Sequence, residues 1–182
     1  MVCSTCSTIG ANYLNDSGPC YGHLVIDEAA RATEPATNSA ASRCNIEDGN
    51  MTLVGDSRQL GPFVHSREVR EAGLGLSTMK RCEGILGMSQ NLFDIQYRMH
   101  PSIAASPSQK FYDGKVGDGS NVHKHVRPQG IAWPCSSHNA FINVRADESR
   151  RFENKASARL ILRIWKRILQ QNNYNQDNMV IL

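Results

Sequence analysis

His23-Leu24-Val25-Ile26-Asp27-Glu28 decides the fold: a short apolar run stops abruptly at two carboxylates. A compact run of this length, bounded by polar turn residues, reads as a buried strand of a parallel sheet, covered on both faces. Downstream the pattern recurs, because Met51-Thr52-Leu53-Val54 is a second such strand that also ends in a polar turn, Gly55-Asp56. Between the two, residues 33–43 suit a helix, with Thr33 placed as its cap and Pro35 tolerated in its first turn. Upstream, residues 2–8 are small and β-branched, which predicts another strand, and residues 13–22 gather Asn, Asp, Ser, Gly and Pro into a loop.

The rest of the chain repeats the alternation. Residues 74–82 carry a helical pattern, after which Gly84 and Gly87 loosen the backbone. A strand is expected at 92–96, then a helix opened by Pro101 and running to Phe111. Residues 115–137 are polar and aperiodic, and 141–144 resemble a strand. The clearest helix is 154–170: Ser157, Leu160, Ile161, Ile164, Trp165, Ile168 and Leu169 recur at helical spacing, with Arg159, Arg163, Lys166 and Arg167 on the complementary face. Met179-Val180-Ile181-Leu182 starts a further strand; a sheet protein rarely ends on an unpaired apolar strand, so the C-terminus reads as truncated. Strand–helix repetition means α/β with parallel sheets.

Charge divides the same chain. Residues 1–90 hold 7 Lys and Arg against 10 Asp and Glu, a balance of −3, whereas residues 91–182 hold 13 against 7, a balance of +6. Two structural units follow, 1–88 and 89–182, the second suited to meeting a polyanion. With 40% apolar and 20% charged residues among 182, the chain can build a packed core and is not globally disordered. No run of about 18 apolar residues is present to span a membrane, and the N-terminus lacks the regions of a signal peptide. A soluble intracellular protein, cytoplasmic or nuclear, is therefore expected, with reduced thiols. Cys3-x-x-Cys6 has zinc-ligand spacing, but Cys20, Cys44, Cys82 and Cys135 are scattered and no second pair converges. Structural zinc takes four ligands, so the pair reads as small residues on a buried strand.

The chemistry sits at the strand ends. In doubly wound sheets, ligands gather beyond the carboxyl ends of the strands, where Asp27 and Glu28 project. An Asp there can hold Mg²⁺, and a neighbouring Glu can orient or deprotonate an attacking water. Taken alone, an acidic pair after an apolar strand is equally a solvated strand end. Further motifs change that reading. Asp27-Glu28-Ala29-Ala30, then Gly55-Asp56-Ser57-Arg58-Gln59-Leu60-Gly61-Pro62, then Gln96-Tyr97-Arg98-Met99-His100-Pro101, resemble in order the Walker B motif and motifs III and IV of superfamily one helicases. The last of these resembles the branch of the nonsense-mediated-decay helicase. Val2-Cys3-Ser4-Thr5-Cys6 is similar to the strand before Walker B in that branch, and Phe111-Tyr112-Asp113-Gly114-Lys115-Val116 and Asn154 are similar to parts of its second motor domain.

That resemblance implies parts of two RecA-like parallel-sheet domains of a P-loop NTPase helicase core, with ATP and Mg²⁺ as cofactors and single-stranded RNA or DNA, besides protein partners, as partners. It implies roles residue by residue. Asp27 would hold Mg²⁺ through water, and Glu28 would activate the hydrolytic water. Gln59 would sense the γ-phosphate. Tyr97 would stack on adenine, and Arg98 would be an arginine finger, a task that suits a planar fork of donors. Ser4, Thr5 and Pro62 would touch nucleic acid. Trp133 and the basic face of 154–170 read as ordinary loop and solvated surface rather than as further contacts.

One departure from the family pattern matters. The Gly114-Lys115 pair is followed by Val116, and no glycine-rich phosphate loop precedes it. Without backbone N–H groups and a Lys to cradle the phosphates, nucleotide affinity falls. Two readings follow: part of an ATP-driven helicase motor that is inactive as this chain alone, or a shortened, catalytically dead remnant that binds nucleic acid or protein. Both predict negligible ATP turnover by the purified 182-residue chain. A steady-state rate within about tenfold of typical enzyme turnover, abolished by Glu28→Gln, would contradict them.

Overall fold

In the computed structural model, residues 1–9, 20–124, 126–144, 154–171, 177 and 179 are described. The chain divides into two compact units, Met1–Asn91 and Leu92–Leu182.

The first unit is organised by one parallel strand pair. β1, His23–Ile26, lies beside β2, Asn50–Leu53, in register His23↔Asn50 through Ile26↔Leu53. Parallel partners need a crossover, and the helix α2, Glu34–Ala41, supplies it. Thr33 is at the N-cap of α2 and Pro35 is in its first turn, as the sequence predicts, although the Thr33 hydroxyl makes no capping bond. Ile26, Ala29 and Ala40 are buried, with Cys6, Ile9, Leu24, Leu53 and Met79 packed against them. The strands are less covered than expected, since Val25 is 58% and Met51 42% exposed.

Residues 2–8 are not a strand. They enter a short helix, α1, Cys6–Ile9. The Thr5 hydroxyl accepts from the Thr8 N–H at 3.1 Å, and the Thr5 carbonyl accepts from Ile9 N–H at 3.2 Å. A Thr that satisfies the next turn locally competes with a strand ladder, and here the local bonds win. The helix expected over 74–82 begins later. A short helix, α3, Arg67–Val69, runs into an irregular turn, Arg70–Leu74, broken at Gly73, whose φ is 116°. Ser77 then caps α4, Thr78–Gly84, by accepting from Lys80 N–H at 3.2 Å. An ion pair between Arg81 and Glu34 ties α4 to α2.

The second unit repeats the plan in miniature. β3, Ile95–Gln96, pairs in parallel with β4, Gly117–Asp118, and the helix between them, α5, Pro101–Phe111, has the bounds read from the sequence. The strand expected over 92–96 is shortened to its last two residues, which are the ones β4 reaches. Residues 141–144 form no strand: Phe141 is 91% exposed, and no described strand lies beside them. A strand pattern without a ladder partner gives no strand. α6, Lys155–Leu169, matches the expected helix, with the Asn154 carboxamide accepting from Ser157 N–H at 2.9 Å and Ile168 buried. The expected loop at 13–22 lies outside the described residues up to 19, and the terminal strand lies outside them apart from Met179. No helix among the described residues is long and apolar enough to cross a membrane.

Two-residue and four-residue parallel ladders with exposed apolar side chains predict modest stability. Thermal unfolding followed by circular dichroism is expected to be broad, or to fall well below about 65 °C. A single sharp transition above that value from a soluble monomer would contradict this reading.

Candidate functional site

The first unit brings its chemistry to one edge. Because β1 and β2 run in parallel and in register, the residues after Ile26 and after Leu53 emerge side by side. The ladder continues past both ends: Val54 N–H donates to Ile26 O at 2.9 Å, and Ala29 N–H donates to Val54 O at 2.8 Å. These bonds turn the chain sharply at Asp27 and Glu28. Glu28 takes a left-handed backbone, φ 52°, uncommon for a residue with a side chain. Its N–H donates to Asp27 Oδ1 at 2.9 Å, which holds the first carboxylate against the turn. Both carboxylates are exposed. Asp27 Oδ2 has no protein partner among the described residues, and a hard, exposed oxygen of this kind suits hydrated Mg²⁺.

Gly55 makes the close approach possible. A Cβ there would lie 3.0 Å from both Ala29 N and Ala30 N and 3.2 Å from Met79 Sδ. Sequence reading placed Gly55 in a turn but gave it no role; the signal was a Gly directly after an apolar strand, facing a second strand end. Asp56, quoted in the same motif, was likewise given no role. It organises the loop, accepting from Gln59 Nε2 at 2.7 Å and Arg58 N–H at 3.0 Å, while its carbonyl accepts from Gln59 N–H at 3.2 Å. Gln59 is thus exposed but held. Ser57 donates to Glu83 at 2.5 Å, which ties the same loop to α4.

In the second unit, Tyr97 and Arg98 follow β3 directly, at the carboxyl end of a parallel strand again. Their loop is built on the Gln96 side chain. Gln96 Oε1 accepts from Arg98 N–H at 2.9 Å and Met99 N–H at 2.7 Å, and Gln96 Nε2 donates to Met99 O at 2.7 Å and to Asp118 Oδ1 at 2.6 Å. Arg98 is exposed, and its guanidinium makes no ion pair among the described residues. Tyr97 is 60% exposed, with its ring against Gly119. His100 then starts α5, its Nδ1 accepting from Ser102 N–H at 3.2 Å, and its ring stacks on His138 with 3.4 Å between centroids.

The residues expected at nucleic acid are less uniform. Ser4 and Thr5 are exposed, but the Thr5 hydroxyl is engaged in capping α1. Pro62 is buried, while its neighbours Leu60 and Phe63 stand out into solvent. Trp133 is half-buried and donates from Nε1 to Pro128 O at 2.9 Å, an internal role.

Comparison with known proteins points the same way as these motifs. Two AAA-domain family models match, one over residues 1–67 and the other over residues 74–182. The chain is 31% identical over 163 residues to the probable helicase MAGATAMA 3 of Arabidopsis thaliana, a match covering 89% of this chain and 19% of that protein. It is 34% identical over 139 residues to the helicase sen1 of Schizosaccharomyces pombe, covering 71% of this chain and 8% of that protein. To the regulator of nonsense transcripts 1 of Dictyostelium discoideum it is 36% identical over 135 residues, covering 74% and 10%. The chain therefore spans under a fifth of the length of each of these relatives.

The left-handed turn at Glu28 yields a stability prediction. Glycine adopts this backbone without the Cβ clash, so Glu28→Gly is expected to raise unfolding free energy by about 1 kcal/mol, read as a higher urea midpoint at unchanged slope. A lower midpoint would mean that the Glu28 side chain contributes more to stability than its backbone strain removes.

Proposed function

The chain belongs to the AAA-domain family, as a superfamily one helicase similar to the regulators of nonsense transcripts and of RecA-like P-loop NTPase fold, and on that premise we propose that its two units are parts of the two RecA-like domains of an ATP-driven nucleic-acid motor. Helicases of this family use a nucleotide and Mg²⁺ in general. Residues 1–88 are the C-terminal part of the first domain and residues 89–182 the N-terminal part of the second. The protein acts inside the cell, on single-stranded RNA or DNA.

The observation that carries the reading is the shared edge of β1 and β2. Parallel register brings Asp27 and Glu28 out beside Asp56 and the Gln59 loop, the place where ligands collect in this class of sheet. Bound there, Mg²⁺ neutralises phosphate charge. Asp27 would hold the hydrated ion through Oδ2, its other oxygen being held by Glu28 N–H. Glu28, exposed on its left-handed turn, takes the proton from the attacking water. Gln59, kept in place by Asp56, reads the terminal phosphate. From the second unit, Tyr97 supplies a flat ring for the adenine, and Arg98 a guanidinium with no protein anion among the described residues to release.

The test restores the phosphate-binding loop and later family motifs in frame with this chain and measures ATP turnover and binding separately. Glu28→Gln is expected to abolish hydrolysis with binding retained, because size and hydrogen bonding stay while the basic oxygen goes. Arg98→Ala is expected to slow hydrolysis by about 10³-fold or more, the scale of other arginine fingers. Undiminished turnover in either variant would remove that residue from its role.

A further inference from the structure

We propose that Asp118 and Gly119, at the end of β4, are positioning residues that set Tyr97 and Arg98 for the nucleotide, Asp118 acting through Gln96; the inference rests on the nucleotide roles proposed for Tyr97 and Arg98. No motif singled out from the sequence contains either residue.

Asp118 decides which way round the Gln96 carboxamide sits. A side-chain amide has two faces of similar shape, one donating and one accepting. The Asp118 carboxylate only accepts, and its Oδ1 lies 2.6 Å from Gln96 Nε2. The donor end is thereby turned to β4, with its second N–H on Met99 O at 2.7 Å. That leaves Gln96 Oε1 facing the two N–H groups of Arg98 and Met99, at 2.9 Å and 2.7 Å. Every donor and both lone pairs of the amide are then used, and the backbone of Arg98 is held while its guanidinium stays exposed. Reversing the amide would set a carboxylate against a carbonyl oxygen and two N–H groups against an NH₂. Asp118 itself makes no ion pair among the described residues, so its charge has no other evident use there.

Gly119 acts by absence. Its N–H donates to Gln96 O at 2.8 Å, extending the β3–β4 ladder by one residue and bringing it beside Tyr97. It is buried, and a Cβ built on it would collide with Cδ1 and Cε1 of the Tyr97 ring. Its backbone does not lie in the left-handed region, so the turn does not demand glycine. The ring demands it. Any side chain at this position displaces Tyr97 from a place where it is backed on one side and 60% exposed, the presentation a stacking platform needs.

The experiment reads amide hydrogen exchange by residue on the 182-residue chain, and binding of a fluorescent methylanthraniloyl-ADP on the chain joined to a phosphate-binding loop, as in the test above. In Asp118→Leu, exchange at Arg98 and Met99 is expected to rise about tenfold, the worth of one net hydrogen bond, while exchange at Ala29 and Val54 in the first unit stays unchanged. Asp118→Asn, whose amide oxygen still accepts, is expected to restore protection. Gly119→Ala is expected to weaken nucleotide binding when Tyr97 is present and to add nothing in a Tyr97→Ala background. Unchanged exchange at Arg98 and Met99 in Asp118→Leu would overturn the role of Asp118. An equal Gly119→Ala effect with and without the Tyr97 ring would overturn that of Gly119. If exchange responds as expected but Tyr97→Ala leaves nucleotide affinity intact, the loop-setting role of Asp118 stands and the adenine role of Tyr97 fails.

Discussion

Parallel pairing is the constraint on which the rest depends. Two strands can run the same way only if the chain returns over the sheet, so each pair carries a helix, and both of its carboxyl ends open on one edge. Here α2 makes the return between β1 and β2, and α5 the return between β3 and β4. Asp27, Glu28 and the Asp56–Gln59 turn all leave the carboxyl edge of the first pair, and Tyr97, Arg98, Asp118 and Gly119 leave that of the second. Residues tens of positions apart become neighbours by register alone.

At such an edge the backbone trades regularity for display. Glu28 is one of two residues other than glycine with positive φ among those described, and it carries the carboxylate proposed to activate water. A strained backbone at a displayed acid is the usual company of a site that must present a side chain rather than bury it. Gly55 and Gly119 make the complementary contribution. Each sits at the end of the second strand of its pair and makes room, one for the turn of the first strand and the other for an aromatic ring. The parallel between the units is thus chemical as well as topological: a displayed side chain after the first strand, a glycine after the second.

Much of this was legible in the residues. Abrupt ends of apolar runs located β1 and β2, and helical periodicity located α6 almost to the residue. Pro101 gave the start of α5 because proline suits the first turn of a helix. What failed was whatever hung on a partner. Residues 141–144 had a strand's composition but no ladder, and residues 92–94 lay beyond the reach of a two-residue β4. Residues 2–8 looked β-branched, yet Thr5 closed a helical turn with its own hydroxyl. The site divided similarly. Motif residues were readable because they stand in a fixed order, whereas Asp118 and Gly119 act through contacts with Gln96 and Tyr97 made 22 residues apart, which no local pattern announces.

The central claim is that the carboxyl edge of β1 and β2 is where a divalent cation and nucleotide phosphates meet this chain. Oxidative backbone cleavage by Fe²⁺ in place of Mg²⁺, performed with nucleotide on the chain joined to a phosphate-binding loop, tests it most directly. The account predicts cuts clustered at Asp27–Glu28 and at Asp56–Gln59, lost in Asp27→Asn. Cuts at the opposite edge, around His23 and Asn50, or cleavage indifferent to Asp27→Asn, would contradict it.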